Sequence, residues 1–318
     1  MFKRTLWLVL AGLLFAAPGA HAAVQDNQCD RACLYGFLDS YMAALWEHNP
    51  GILDVADHVR FSENNVEMAF PDGLWNTFQK AGDYDLRFAD VKQGQVGLYT
   101  VVYERDNPAI LALRLKVEGG KISEIESLVG RYVDGRPFPS PFPLNLKPKP
   151  ILEAMLPEGD RLPRDEMVKL ANGYFDTLQM NDGSIHTKFD PKCDRVENGI
   201  ETTNNAERAK LSRFYGMGCE EQFKLGLYRY DDRIRDRRFM LVDEERGLVW
   251  ASGFIDHSGT LLSFPLTDGT TRNTNYKTPH SYHFMELFKI VDGKIRQVEA
   301  VFNTVPYNMQ SPWSNHGK

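Results

Sequence analysis

An internal repeat constrains the fold of this 318-residue chain more than any other feature of its sequence. Two stretches begin with the same amphipathic pattern, and residues 35–39 (YGFLD) match residues 172–176 (NGYFD). In both stretches apolar residues recur at the three- and four-residue spacing of a helix with one buried face. A Glu-Asn pair follows each stretch, at positions 63–64 and 197–198. The repeat therefore predicts two related halves that each begin with a helix.

Each half also ends in the same kind of hairpin. Residues 119–122 (GGKI) and 292–295 (DGKI) each follow an alternating apolar run, as is typical of tight hairpin turns. With its order of helix, antiparallel strands and Gly-Lys-Ile hairpin, the chain resembles the nuclear transport factor 2-like, or SnoaL-like, superfamily over roughly 29–133 and 160–305. The resemblance implies the α+β class, with two tandem cone-shaped barrels in which helices pack on a strongly bent antiparallel sheet.

A proline-rich segment separates the two halves. Prolines at 137, 139, 141, 143, 148 and 150 disfavour helix and sheet. We therefore expect a first domain over 23–133, an extended linker over 134–150 and a second domain over 151–318. The spacing between matched glycines grows from 153 residues (Gly94 and Gly247) to 173 (Gly120 and Gly293), which indicates an insertion. Residues 258–282 hold it and are predicted to form a lid.

The N-terminus has the pattern of a secretory signal peptide. Lys3 and Arg4 precede an apolar run over 6–17, and small residues follow near position 22. We therefore expect residues 1–22 to be removed and the protein to be exported, to the periplasm or the medium. Disulfides persist there, and local closure favours two of the possible pairings, Cys29 with Cys33 and Cys193 with Cys219. The other two connectivities stay open.

Composition narrows the classes of partner. The chain carries 37 Lys and Arg against 43 Asp and Glu, a net charge of −6, and has no basic block suited to nucleic acid. No later stretch approaches the roughly 20 apolar residues of a membrane helix. Nucleotide loops, nucleophile elbows, haem or flavin signatures and close metal-ligand pairs are all missing from the sequence. We expect no cofactor and no metal, and a hydrophobic small molecule as ligand. A homodimer is one alternative for the assembly, and the sequence does not decide it.

The repeat identifies one candidate catalytic residue, Glu286. One strand face of the first hairpin is apolar throughout, and its residues correspond to those of the second hairpin as follows: Leu111, Leu113, Leu115 and Val117 match Phe284, Glu286, Phe288 and Ile290. A carboxyl group in an apolar row loses its hydration, which raises its pKa and suits it to general acid or base catalysis. The alternative is a structural ion pair between Glu286 and an arginine at the seam between the domains.

Seven further residues are candidates for the site. His257 and Asp176 are predicted as catalytic groups, with a strand-end position and a helix-to-sheet hydrogen bond as their structural alternatives. Arg237 is predicted to bind a carboxylate or phenolate, although it could pair with acids in solvent instead. The remaining substrate-binding candidates are aromatic residues and a histidine: Tyr174, Trp250, His283 and Tyr307.

Function is predicted from the resemblance together with these residues. The superfamily includes ketosteroid isomerases, polyketide cyclases, scytalone dehydratases, epoxide hydrolases, and lyases or decarboxylases of lignin-derived aromatic dimers. The leading hypothesis is an exported, cofactor-independent lyase, decarboxylase or isomerase that acts by acid–base catalysis on a hydrophobic aromatic or polycyclic compound. A non-catalytic periplasmic binding or assembly module is the main alternative, and sugar-active lyase chemistry is a third. A shared fold alone does not decide among them.

Overall fold

In each half of the protein a long helix precedes a six-stranded sheet. The computed structural model describes residues 29–131 and 146–314. The elements of the first half are α1 (Arg31–Trp46), β1 (Val55–Glu63), β2 (Val66–Glu67), β3 (Phe78–Asp90), β4 (Gln95–Glu104), β5 (Asn107–Glu118) and β6 (Lys121–Arg131). The helices of the second half are α2 (Pro150–Glu153), α3 (Arg164–Met180), α4 (Ala206–Ala209) and α5 (Cys219–Lys224). Its strands are β7 (Phe189–Glu197), β8 (Ile200–Glu201), β9 (Arg233–Asp243), β10 (Leu248–His257), β11 (Ser263–Pro265), β12 (Thr271–Asn273), β13 (His280–Val291) and β14 (Lys294–Val305). Short 3₁₀ turns lie at Pro50–Ile52, Gly73–Asn76, Val91–Gln93, Glu158–Asp160 and Arg213–Gly216.

The two large sheets have the same strand order. The first is β2-β1-β6-β5-β4-β3 and the second is β8-β7-β14-β13-β10-β9. Most neighbouring strands are antiparallel, and each sheet adds one parallel pair, β1 with β6 and β7 with β14. A parallel pair needs a long connection, which the intervening strands supply. The predicted α+β class is confirmed, with helices packed on each sheet.

The final hairpins turn where the repeat predicts. Gly119 and Gly120 have φ angles of 58° and 77°, and Asp292 and Gly293 have 50° and 68°. Two consecutive residues in the left-handed region match the right-handed twist of the flanking strands. These turns fix the register of β5 with β6 and of β13 with β14, and so determine which side chains share a face.

The two sheets pack against each other through a buried apolar layer. This layer contains Phe88 and Tyr99 from the first half and Leu241, Trp250 and Leu287 from the second. Reciprocal hydrogen bonds flank it, because Asp90 accepts from the Val242 amide at 2.9 Å and Asp243 accepts from the Ala89 amide at 3.3 Å.

Arginines at the starts of the two long helices repeat this reciprocity. Arg31 of α1 pairs with Asp243 at 2.6 Å, and Arg164 of α3 pairs with Asp90. Each arginine thus contacts an aspartate of the opposite half. The two halves are therefore related by an approximate two-fold axis that runs through the layer between the sheets.

The inserted segment of the second half folds as a small hairpin. Strands β11 and β12 pair as a separate two-stranded sheet. Phe264 and Leu266 of this hairpin are buried against Leu225, which follows α5. The predicted lid range runs slightly too far, because β13 already begins at His280.

Both predicted disulfides are present. Cys29 and Cys33 bridge the first turn of α1, and Cys193 and Cys219 join β7 to α5. Such bridges are typical of an oxidising compartment. The predicted signal peptide and most of the predicted linker, residues 1–22 and 134–145, lie outside the described residues. Within the described ranges no helix is long and apolar enough to cross a membrane.

Candidate functional site

A cavity of about 100 Å³ lies inside the second half. Its wall combines an aromatic set with five groups that can carry a charge: Arg195, Glu197, Asp231, His257 and Glu286. The aromatic set comprises Tyr174, Tyr228, Tyr230, Tyr276, Tyr282 and Phe302. The structure thus brings together three of the predicted site residues, Tyr174, His257 and Glu286. A concave site with few converging polar groups is the usual form of a small-molecule pocket.

Glu286 lies on the strand face that turns away from the first half. Its neighbours on that face, Phe284 and Phe288, belong to the core under α3, as the apolar row predicts. Directly across the sheet from Glu286 are Ala251 on β10 and Ala300 on β14. Two small neighbours leave space beside the carboxyl group, and this space forms part of the cavity.

The environment of Glu286 keeps its carboxyl group neutral over a wide pH range. Its exposed fraction is only 2%. Burial is the main cause that raises its pKa to about 8, and the negative charge of Glu197 adds to the effect. Arg195 and the Tyr174 hydroxyl act in the opposite direction but do not compensate. At neutral pH Glu286 is therefore mainly protonated and can donate a proton.

Arg195 is a buried cation whose hydrogen-bond partners are neutral side chains. Its guanidinium donates to the hydroxyls of Tyr174 and Tyr228 and to the side-chain oxygen of Gln222. Glu197 is its ion-pair partner, at 3.8 Å from Nε. The Tyr228 hydroxyl has a pKa raised to about 12, chiefly by burial, and so remains a hydrogen-bond donor at neutral pH. Arg195 and these hydroxyls form a positive region at the cavity wall.

His257 and Asp231 form a hydrogen-bonded acid–base pair. The two side chains meet at 2.8 Å through Nε2 of His257, and both are buried. Burial raises the pKa of Asp231, whereas the hydrogen bond from His257 lowers it. Nδ1 of His257 is buried and has no hydrogen-bond partner among the described residues. When Asp231 is ionised and accepts the Nε2 proton, the lone pair of His257 is on Nδ1.

The equivalent region of the first half is filled with apolar side chains. Leu113 stands where Glu286 stands, and Leu98 replaces the alanine that lies beside it on β10. Phe61 takes the place of Arg195 and is buried in the core of that half. The first half therefore lacks the counterparts of Glu286 and Arg195, although Glu63 keeps the carboxyl group of Glu197.

Trp250 and His283 do not reach the cavity, contrary to their predicted role in binding substrate rings. Trp250 faces the layer between the two sheets, where its Nε1 donates to the Tyr99 hydroxyl at 2.8 Å. His283 also lies on this side of β13, beside Ser252 at 3.2 Å. Burial lowers the pKa of His283 to about 4, so it is neutral at physiological pH. Adjacent residues of a strand point to opposite faces, so Trp250 lies on the face opposite Ala251, and His283 on the face opposite Glu286.

Arg237, Asp176 and Tyr307 lie outside the cavity. Arg237 pairs with Asp176 at 2.5 Å and joins β9 to α3. This contact is the structural alternative considered for Asp176, whereas the alternative considered for Arg237 was pairing with acids in solvent. Tyr307 is 40% exposed. No group of three or more His, Cys, Asp or Glu in residues 29–131 and 146–314 is arranged to hold a metal ion.

Several cavity residues have no counterpart in the sequence-based prediction. Arg195 could have been found by the comparison that found Glu286, since it aligns with Phe61. Tyr228, Tyr230 and Asp231 belong to an irregular segment after α5 that has no equivalent in the first half. No periodicity or motif indicates that this segment folds over the cavity.

A family model described as "Domain of unknown function (DUF8021)" matches residues 160–302. This range contains every residue that lines the cavity. No curated protein matches the chain. The family comparison therefore covers the part of the chain that holds the candidate site.

Comparison with solved structures gives partial matches at low sequence identity. A de novo designed protein with a curved β-sheet is 13% identical, with a TM-score of 0.26 over 45% of this chain and 88% of that chain. A protein assigned as a ketosteroid isomerase from Kribbella flavida is 14% identical, with a TM-score of 0.25 over 33% and 82%. AclR from Streptomyces galilaeus, assigned as a hydroxylase, is 18% identical, with a TM-score of 0.26 over 44% and 91%. Residues 160–302 are thus similar to a family without an assigned function.

Proposed function

We propose that the second half is a cofactor-independent acid–base enzyme, a lyase or isomerase that moves protons on a small hydrophobic aromatic or enolisable compound. One observation carries the proposal: Glu286, whose buried carboxyl group has a raised pKa, lines the same cavity as His257, whose Nδ1 has no hydrogen-bond partner among the described residues. Perturbed titratable groups that converge in a cavity are typical of active sites.

In this proposal His257 is the general base. Its Nδ1 accepts a proton from carbon or from a phenolic oxygen, while Asp231 holds Nε2 and stabilises the imidazolium that forms. Arg195 and the hydroxyls of Tyr174 and Tyr228 stabilise the negative charge that develops on the substrate oxygen. These groups are already ordered around each other, so little reorganisation is needed during the reaction.

Glu286 is the general acid. Its protonated carboxyl group delivers a proton either to a second carbon, which completes an isomerisation, or to a departing oxygen, which completes an elimination. Loss of carbon dioxide or formaldehyde from a lignin-type compound uses the same two groups, with Glu286 protonating the carbanion that remains. The arrangement accounts for a proton donor and a proton acceptor without a bound cofactor.

The cavity limits the size of the reacting part. An engineered cavity of about 150 Å³ binds one benzene molecule. The observed volume of about 100 Å³ is smaller than this, so a single ring is the largest group that can enter, and it enters only if side chains of the wall shift. The second ring of a dimeric or polycyclic substrate has to lie outside the cavity or displace part of its wall.

The test is turnover of phenolic, enolisable and hydroxylated ring compounds by wild type and two glutamine variants. Glu286→Gln should lower kcat about 10²- to 10⁴-fold. Glu299→Gln is the matched control, because its carboxyl group is also buried with a pKa raised to about 8 but does not line the cavity. Wild-type kcat should fall above pH 8 as Glu286 ionises, and Glu286→Gln should lack this limb. Equal losses in both variants, or turnover of no compound in the panel, would contradict the proposal.

A non-catalytic binding module is the second candidate. It is favoured by the many aromatic side chains around the cavity and by the three hydrogen bonds that Arg195 already donates to side chains of the protein. Ligand binding raises the melting temperature by mass action. A shift with the ligand recovered unchanged from both wild type and Glu286→Gln would favour this candidate.

We also propose export of the protein from the cytoplasm, on the basis of the N-terminal pattern and the two disulfides. N-terminal sequencing of the mature protein tests this. A first residue near position 23 is expected, and an intact Met1 in the cytoplasmic fraction would contradict export.

A further inference from the structure

A second depression adjoins the cavity. This outer groove has a volume of about 390 Å³ and shares four wall residues with the cavity: Glu197, Tyr228, Tyr230 and Tyr276. Phe214 and Arg272 line only the groove. The inserted hairpin, which the first half lacks, supplies Arg272 through β12. A molecule that extends beyond the cavity would enter this groove.

Arg272 is the unusual member of the groove. Its Nε is buried and has no hydrogen-bond partner, and no carboxylate of the described residues lies within 4.0 Å of its guanidinium. The guanidinium stacks on the Phe214 ring at 4.7 Å, which fixes its plane. An oriented guanidinium with an unused donor is suited to bind a carboxylate through two parallel hydrogen bonds.

Arg213 contacts the same aromatic ring, but its guanidinium forms an ion pair. It also stacks on Phe214, at 5.1 Å, but pairs with Asp268 at 2.7 Å and does not line the groove. Both arginines therefore stack on Phe214, but among the described residues only Arg213 has an acidic partner. Glu197 is the sole carboxylate among the described residues that line the groove, and it lies at the end shared with the cavity.

We propose that the outer groove is a carboxylate subsite and that the substrate is a ring compound with an acidic side chain. The ring occupies the cavity beside Glu286, and the carboxylate binds to Arg272. The position of the ring rests on the proposed function, whereas the carboxylate subsite depends only on the groove. Ser212, Asn273 and Asn275 provide uncharged polar groups around the bound side chain.

The test is calorimetric binding of benzoate, phenylacetate, 3-phenylpropanoate and 4-phenylbutanoate, each compared with its neutral amide, to the full chain. We expect at least one carboxylate to bind about 10- to 100-fold more tightly than its amide, because charge-assisted hydrogen bonds contribute about 1.5–3 kcal/mol. Arg272→Gln should abolish this preference. Arg213→Gln, the matched control, should keep it, and thermal unfolding of both variants verifies that they fold.

Two results would overturn the subsite. One is equal or undetectable binding of every acid and its amide to wild type, and the other is a carboxylate preference that survives in Arg272→Gln. Glu286→Gln separates this proposal from the proposed catalysis. If that variant keeps the carboxylate preference while wild type turns over no acid, the subsite stands and the catalytic proposal fails.

Discussion

Glu286 and Leu113 occupy the same place in the two halves, yet one is a carboxyl group in a cavity and the other fills an apolar core. The surroundings differ accordingly, since Ala251 lies beside Glu286 and Leu98 lies beside Leu113. A buried carboxyl group costs stability wherever it must ionise. The first half avoids this cost at Leu113, and the second half accepts it at Glu286, the proton donor in the proposed function.

The cost of Glu286 should be visible in the pH dependence of stability. Folding raises its pKa from 4.5 to about 8, so its contribution is most favourable below pH 4.5 and is lost as the pH rises through 8. The loss is at most about 5 kcal/mol, since one pKa unit corresponds to about 1.36 kcal/mol. Relative to wild type, Glu286→Gln should therefore gain stability between pH 5 and pH 9 in urea unfolding. Parallel pH curves for the two proteins would refute this.

Glu104 is a control for which the pH dependence of stability should run in the opposite direction. Although burial acts against it, its pKa is lowered by hydrogen bonds from Arg131 and Thr77. Its contribution is present above the pKa of the unfolded chain and is lost as the pH falls. Glu104→Gln should therefore destabilise the protein at pH 7 and have little effect at low pH.

At the scale of elements, strands β10 and β13 present one face to the cavity and the other face to the layer between the two sheets. Glu286 points into the cavity, while its neighbour Leu287 and Trp250 on β10 point into the layer between the sheets. This division explains why the alternation in β13 could be predicted from sequence. It also explains why Trp250 could not be placed, because β10 is buried along its whole length and offers no exposed side to distinguish its two faces.

Trp250→Phe should therefore affect stability but not the site. The substitution removes the donor to the Tyr99 hydroxyl, while that hydroxyl keeps its own bond to the Met285 carbonyl at 2.7 Å. We expect a loss of about 1–3 kcal/mol in urea unfolding. Ligand binding at the cavity should be unchanged, and a large loss of binding at unchanged stability would place the ring in the site after all.

The disulfides also act on different elements. Cys193–Cys219 ties β7, which carries Arg195, to α5, which carries its partner Gln222. Replacing both cysteines by serine should lower stability by about 2–4 kcal/mol and weaken ligand binding at the cavity. The Cys29–Cys33 disulfide closes a shorter loop, which is far from the cavity. The same double replacement at these two positions should therefore affect binding much less. Comparable losses of binding in the two variants would contradict this assignment.

At the scale of the molecule, the shared layer between the sheets should make the two halves unfold together. Each sheet buries large side chains, such as Phe88 and Trp250, only while the other sheet covers them. We expect a single calorimetric transition in which the calorimetric and van't Hoff enthalpies agree. Two separate transitions would show that each half is stable alone.

The sequence predicts the repeating parts of this molecule well and the unique parts poorly. Helix periodicity, hairpin turns and the position of Glu286 follow from local patterns that the second copy verifies. Asp231 and Tyr228 come from a segment with neither periodicity nor a counterpart, and their place beside His257 depends on long-range packing. Arg237 has many acids near it in sequence, and only the packing of α3 on β9 selects Asp176 as its partner.

The reciprocal contacts of Asp90 and Asp243 have a consequence for how such a protein behaves when diluted. Two separate copies of one half would meet through this surface only at sufficient concentration, and their association would be lost as the solution is thinned. Here the partner is part of the same polypeptide, so the surface stays occupied at any concentration. Dilution therefore leaves the second half supported, because the first half remains attached to it through the same chain.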